Sequence, residues 1–159
     1  MGFAPSVMQL KSDAFEQDGL IPFKFTGEGA DVSPSLSWTD PPQDAKAFAI
    51  ICHDPDAPLV TGDGTYGFVH WVLYNIPGNV TRLDEDTKLY TSGRNDFGQT
   101  RYKGPMPPNG HGLHSYYFWV LALKESVEFE AGLTMWQLLK KIEPQLIGMN
   151  RLVGRYMRD

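Results

Sequence analysis

Short apolar runs recur along the chain, each closed off by proline or glycine, and most are the length of a single strand. This pattern predicts strands over Ser6–Ser12, Ser35–Thr39, Ala47–His53, Gly67–Ile76 and Ser115–Leu123, with a last one near Leu152–Met157. In the fourth of these, His70, Val72, Tyr74 and Ile76 alternate with Val69, Trp71 and Leu73. Both sets are bulky and mostly apolar, so the strand is expected to lie centrally, covered on two sides. A helical pattern appears only late. Thr134 followed by Gln137 forms a capping-box signature that opens a helix over Met135–Ile142. Pro144 suits the first turn of a second short helix, where its missing N–H is harmless. The prediction is a mainly β single domain, residues 1–159, with one or two short helices near its end.

Composition narrows the function classes. A chain of 159 residues with 42% hydrophobic content can bury one core and is too short for two comfortable domains. Net charge of -5 and a pI near 5.3 argue against nucleic acid as the main partner, because phosphate backbones need a basic face. Arg151, Arg155 and Arg158 make the end of the chain locally basic, which reads as a solvated edge. Cys52 is the sole cysteine, so no internal disulfide forms, and its place after Ala49-Ile50-Ile51 reads as a buried thiol. No apolar stretch approaches the roughly 18 residues of a membrane span. The start, Met1 to Met8, lacks the basic and apolar regions of a signal peptide. A cytoplasmic protein with no stable membrane insertion is expected.

The candidate chemistry is concentrated. All four histidines, His53, His70, His111 and His114, lie in or beside two segments rich in proline and acid or phenol groups. In Asp54-Pro55-Asp56, proline fixes its own φ and pushes Asp54 toward extended geometry, so both carboxylates project from one stiff corner. His114 and Tyr116, two apart, share a face of the next strand. Pro107, Pro108 and the glycines around them would form a wall where backbone approaches a ligand closely. Each group also has a plainer account. Asp56 can be a turn acceptor, His70 a satisfied core histidine, His111 an exposed loop residue, and Tyr116, Trp38 and Trp71 ordinary packing. The weight lies in their joint presence.

Asp54-Pro55-Asp56-Ala57-Pro58, then His70-Trp71-Val72 with Asn75-Ile76-Pro77, then Gly104-Pro105 through Tyr116, closely resemble the phosphatidylethanolamine-binding protein family, also called Raf kinase inhibitor-like proteins. Ser33 to Trp38, Asn95-Asp96-Phe97-Gly98 and Gly154-Arg155-Tyr156 extend the match over roughly residues 8 to 157, in the order of the compact bacterial and archaeal branch. The resemblance implies a two-sheet antiparallel β-sandwich with a small anion-binding pocket at one end. The pocket groups it implies are Asp54, Asp56, His70, His114 and Tyr116, with Pro107 and Pro108 on the rim. Two departures stand out: Ser115 occupies a position where the family often has arginine, and the sequence stops shortly after Tyr156, without the helix that borders the pocket in the animal proteins.

Electrostatics constrains the ligand of such a pocket. A carboxylate and a phosphate oxygen about 4 Å apart repel by roughly 4 kcal/mol at an effective dielectric near 20. Two aspartates therefore oppose a bare dianion unless imidazolium, a shared proton or loop amides offset them, and histidine beside a carboxylate is expected to supply that charge. A phosphoethanolamine-like zwitterion brings its own cation. The expected ligand is a small phosphorylated or zwitterionic group, with no cofactor and no metal. A protein kinase or protease is the macromolecular partner to consider, and a homodimer is left open. The rival class is a small-molecule hydrolase or metal-dependent enzyme using the Asp/His/Tyr cluster. Against it, the chain has no Gly-x-Ser-x-Gly elbow and no compact His-x-x-x-His or Cys-x-x-Cys spacing.

Overall fold

The computed structural model describes residues 6–57 and 66–158; Met1–Pro5 and Pro58 of the quoted motif lie outside the described residues. Among the described residues eight strands and one α-helix follow in the order β1 (Gln9–Lys11), β2 (Leu36–Thr39), β3 (Ala47–Asp54), β4 (Phe68–Pro77), β5 (Arg82–Leu83), β6 (Thr91–Ser92), β7 (His114–Leu123), α1 (Met135–Ile142) and β8 (Leu146–Tyr156). They form a three-stranded sheet, β1-β2-β5, and a five-stranded sheet, β6-β4-β3-β7-β8. All strand pairs are antiparallel. The fold is mainly β, as the apolar pattern predicts.

Two cores explain why β3 and β4 are apolar on both sides. Met8, Leu36, Trp38 and Leu83 of the small sheet's layer pack against Phe48, Ile50, Trp71, Phe118 and Val120 of the large one. On the far face, Ala49, Ile51, Val72, Tyr74 and Leu121 pack against Leu138 and Ile142 of α1. The helix begins as its sequence dictates. The Thr134 side chain accepts the Gln137 N–H, and the Gln137 side chain accepts the Thr134 N–H. Pro144 sits in a single 3₁₀ turn, Glu143–Gln145. Among the described residues no helix is long and apolar enough to cross a membrane.

Strict alternation along β4 fails, and the sequence-based face assignment with it. Trp71, Leu73 and Ile76 face the small sheet, whereas Val69, Val72 and Tyr74 face α1. Two bulges cause this. Cys52 pairs with Trp71 and His53 with Val69, so His70 is an extra residue without a partner on β3. Phe48 pairs with Ile76 and Ile50 with Leu73, which leaves two β4 residues opposite Ala49. Asn75, at φ 58, absorbs this second kink and ties Phe129 by its side chain, donating to the Phe129 carbonyl and accepting its N–H.

The last strand starts at Leu146, six residues earlier than predicted, because it pairs with β7 from Leu123↔Leu146 to His114↔Tyr156. Long-range pairing extends it through residues of unremarkable pattern. Outside β8 runs the segment through Phe15 and Ile21, held by the Ile21 N–H on the Arg155 carbonyl and the Arg155 N–H on the Gly19 carbonyl. A Cβ at Gly154 would lie 2.6 Å from Ile21 Cγ1 and 2.7 Å from Phe15 Cε2. Gly154→Val should therefore destabilise the fold by about 1–3 kcal/mol through overpacking. An unshifted urea-unfolding midpoint would contradict this.

Candidate functional site

Antiparallel order brings three strand ends together. The end of β3 lies beside the starts of β4 and β7, with Asp54 opposite Phe68 and His53 opposite Tyr117. A cavity of about 300 Å³ opens there, lined by Asp54, Ala57, Phe68, His70, Phe97, Met106, Pro107, Pro108, His111, His114 and Tyr116. Six of the seven residues proposed from sequence are thus brought together; Asp56 is not in the lining. Its carboxylate accepts the Ser115 N–H at 2.7 Å and so ties the prolyl corner to β7. That bond uses the backbone of residue 115, so serine serves it as well as arginine would.

Asp54 is almost fully buried, and its two oxygens are both engaged. Oδ1 accepts the Asp56 N–H at 2.8 Å, which closes the turn at Pro55. Oδ2 accepts the Nδ1–H of His114 at 2.7 Å. A carboxylate acts only as an acceptor, so this bond fixes the His114 proton on Nδ1. His114 Nε2 then lies 2.8 Å from His111 Nδ1. Asp54, His114 and His111 form a hydrogen-bonded chain running from the buried strand end to the exposed loop.

His70 behaves differently. Its Nδ1–H donates to the Lys103 carbonyl at 2.7 Å, which leaves Nε2 as an acceptor with no partner among the described residues. Burial lowers its pKa from 6.5 to about 4, against the opposing pulls of the Lys103 carbonyl and Asp54. Near neutral pH His70 is uncharged, so it is not the source of the imidazolium that could offset the aspartates. Its ring packs edge-on against Tyr116, with centroids 5.2 Å apart. The Tyr116 hydroxyl also has no hydrogen-bond partner among the described residues, and burial pushes its pKa up, so it keeps its proton.

The apolar wall escaped sequence reasoning. Phe68 shares the bulged start of β4 and packs on Phe97 with centroids 4.7 Å apart. Asn95 shapes the Phe97 turn: its Oδ1 accepts the N–H groups of Phe97 and Gln99, and its Nδ2 donates to the Arg101 carbonyl. Asp96 accepts the Val69 N–H at 2.8 Å and fastens that turn to β4. The Asn95-Asp96-Phe97-Gly98 string was legible as a motif, yet nothing in it says that Phe97 faces a cavity. His111, read as a merely exposed loop residue, is exposed and also bonded to His114. Among the described residues, no lysine or arginine lines the cavity, and no group of three or more His, Cys, Asp or Glu is placed to hold a metal.

Comparison with known proteins finds relatives over nearly the whole chain. A family model described as phosphatidylethanolamine-binding protein matches residues 11–157. A UPF0098 protein of Aquifex aeolicus is 37% identical over 161 residues, covering 97% of this chain and 91% of that protein. The crystal structure of a phosphatidylethanolamine-binding protein homologue from Chlamydia trachomatis is 37% identical, with a TM-score of 0.86, and the match covers 96% of this chain and 98% of that one. Escherichia coli YbcL, described as a member of the mammalian PEBP family, is 31% identical with a TM-score of 0.88, over 97% of this chain and all of that one (100%).

The His70 environment predicts a pH dependence of stability. The unfolded chain takes up a proton near pH 6.5, whereas folded His70 resists until about 4. Between these values the unfolded state holds more protons, so stability falls as pH is lowered, by on the order of 3 kcal/mol. His70→Asn keeps a donor for the Lys103 carbonyl and cannot titrate there. Urea unfolding at about pH 7 and about pH 4.5 should show a smaller loss for the variant; equal losses would count against the assignment.

Proposed function

The chain belongs to the phosphatidylethanolamine-binding protein family, and on that premise we propose that it is a ligand-binding protein whose pocket receives a small zwitterionic or singly charged phosphorylated group. One observation carries the reading: two unlike polar groups, the Tyr116 hydroxyl donor and the His70 Nε2 acceptor, stand around a single cavity with no partner among the described residues, none of which brings a lysine or arginine into the lining. A phosphate oxygen accepts from Tyr116. A ligand ammonium, or the hydroxyl of a monoanionic phosphate, donates to His70. A bare dianion meets the Asp54 carboxylate without a compensating cation and is disfavoured. The volume is at the lower end for small-molecule sites. Its apolar side, Phe68, Phe97, Met106 and the two prolines, accepts the carbon skeleton of the same ligand. A phosphorylated side chain of a kinase or protease has this chemistry too, and competition of a pulldown by free phosphoethanolamine distinguishes pocket-dependent association from surface contact.

Calorimetry at neutral pH should find binding of phosphoethanolamine and weaker or no binding of inorganic phosphate. Tyr116→Phe should weaken the phosphoethanolamine affinity about ten-fold, the size of one hydrogen bond to a charged group. Affinity for inorganic phosphate should rise as pH falls, because protonation of either the anion or His70 restores the missing donor. Identical heats for the wild type and Tyr116→Phe would remove the proposal.

A second reading, a small-molecule hydrolase, is favoured by the Asp54–His114–His111 chain. A carboxylate orienting an imidazole whose second nitrogen faces another polar group is the arrangement of a general base. On this reading, turnover of phosphate or carboxylate esters disappears in His114→Asn. A screen of both ester types that finds no turnover by the wild type discards it.

A further inference from the structure

The pocket's outer wall is a single segment, residues 105–111, and its attachments differ at its two ends. At Pro105 it is pinned by the Gly27 N–H, 2.8 Å from the Pro105 carbonyl. In the middle, Pro107 and Pro108 make a stiff plate facing the cavity. Beyond the plate, Gly110 and Gly112 hold φ values of 72° and 90°, and a Cβ on either would meet nothing within 4 Å. Both glycines hold the left-handed backbone without a Cβ penalty, and the open space around them leaves room for this end of the segment to move.

The plate is held down from outside by one residue, through its side chain and its backbone. Arg158 Nη1 donates to the Pro107 carbonyl at 3.3 Å, and the Arg158 carbonyl accepts the Gly110 N–H at 3.4 Å. The guanidinium is ion-paired with Glu28: Arg158 Nε lies 3.3 Å from Oε2, without hydrogen-bond geometry. Glu28 Oε1 accepts the Tyr156 hydroxyl proton at 2.8 Å, which anchors the carboxylate to the end of β8. Neither Glu28 nor Arg158 lines the cavity. Both side chains are more than two-thirds shielded from solvent, so salt screens the pair less than a surface ion pair.

We infer that Glu28 and Arg158 are positioning residues that latch the 105–111 segment over the pocket and set its aperture. From inside, the only side-chain tie of the segment among the described residues is His111 on His114. Opening the latch would swing the plate, with Met106 and His111, away from His70 and Tyr116. Ligand entry and exit therefore depend on a contact that the ligand never touches. The kinetic part of this inference rests on the ligand-binding function proposed above; the structural part does not.

Hydrogen exchange on the intact protein tests the structural part without any ligand. In Arg158→Met and in Glu28→Gln, the amides of Gly110 and His111 should exchange about five-fold faster, the factor expected for losing one modest charge-assisted contact. Amides of β3 and β7 should be unchanged. Unchanged exchange at Gly110 and His111, or acceleration spread equally through β3 and β7, overturns the latch. Stopped-flow binding of phosphoethanolamine should show both association and dissociation accelerated in the variants, with little change in Kd. Rates equal to wild type overturn the gating role. Absence of phosphoethanolamine binding to the wild type as well would refute the proposed ligand, while the exchange result still decides the latch.

Discussion

Asp54 ends a central strand in near-complete burial, and a carboxylate in that position is tolerable only when its oxygens are engaged. One bond is local, to Asp56, and forms whenever the prolyl corner turns. The other reaches His114, sixty positions along the chain, and forms only when β3 and β7 are in register. A one-residue slip would turn the inward face of β7 outward and leave Asp54 as an unpaired buried charge. Asp56 repeats the constraint by holding the Ser115 N–H. The contact that fixes the central strand pairing is therefore also the floor of the cavity. Core and site cannot be varied independently at this end of the sheet.

The same economy appears in β4. A regular strand would give His70 and Trp71 to opposite faces, but the bulge inserts His70 as an unpaired residue beside the cavity. Trp71 keeps its place in the core between the sheets. The bulge frees His70 from the ladder and lets the Lys103 carbonyl take its Nδ1–H. With that proton committed and the ring buried, the imidazole stays neutral and offers only a lone pair. Local irregularity thus determines the chemical character of the residue as well as its direction.

What was legible in the sequence follows from how local its cause is. The Thr134 and Gln137 capping box, the Pro144 turn and the runs Ala47–His53 and Ser115–Leu123 are written in adjacent residues, and the structure has them. The proximity of Asp54, His70, His114 and Tyr116 was legible through the two motifs taken together, and the cavity contains all four. The bulges at His70 and Asn75 were not, because they arise from pairing with β3 and leave an ordinary apolar pattern in β4. Nor was the start of β8 at Leu146, which depends on the length of β7 beside it. The roles of Phe97 and His111 depend on how loops fold back over a strand end. The neutrality of His70 required knowing both its burial and the carbonyl that meets its Nδ1.

A pocket of this composition recognises by shape and by placed donors and acceptors, since among the described residues its lining supplies no lysine or arginine for long-range attraction. Such contacts gain strength when water is excluded and lose it when the cavity is open to solvent. Aperture and affinity are then linked through the dielectric as well as through steric access. The outer wall suits that role: its inward side is apolar at Met106, Pro107 and Pro108, so closing it removes water without burying new unpaired groups. The charged pair that holds the wall, Glu28 with Arg158, lies outside the lining, where its field is spent on position instead of on the ligand. Separating the charges that hold the lid from the neutral groups that meet the ligand allows a mostly apolar cavity to discriminate among small polar molecules.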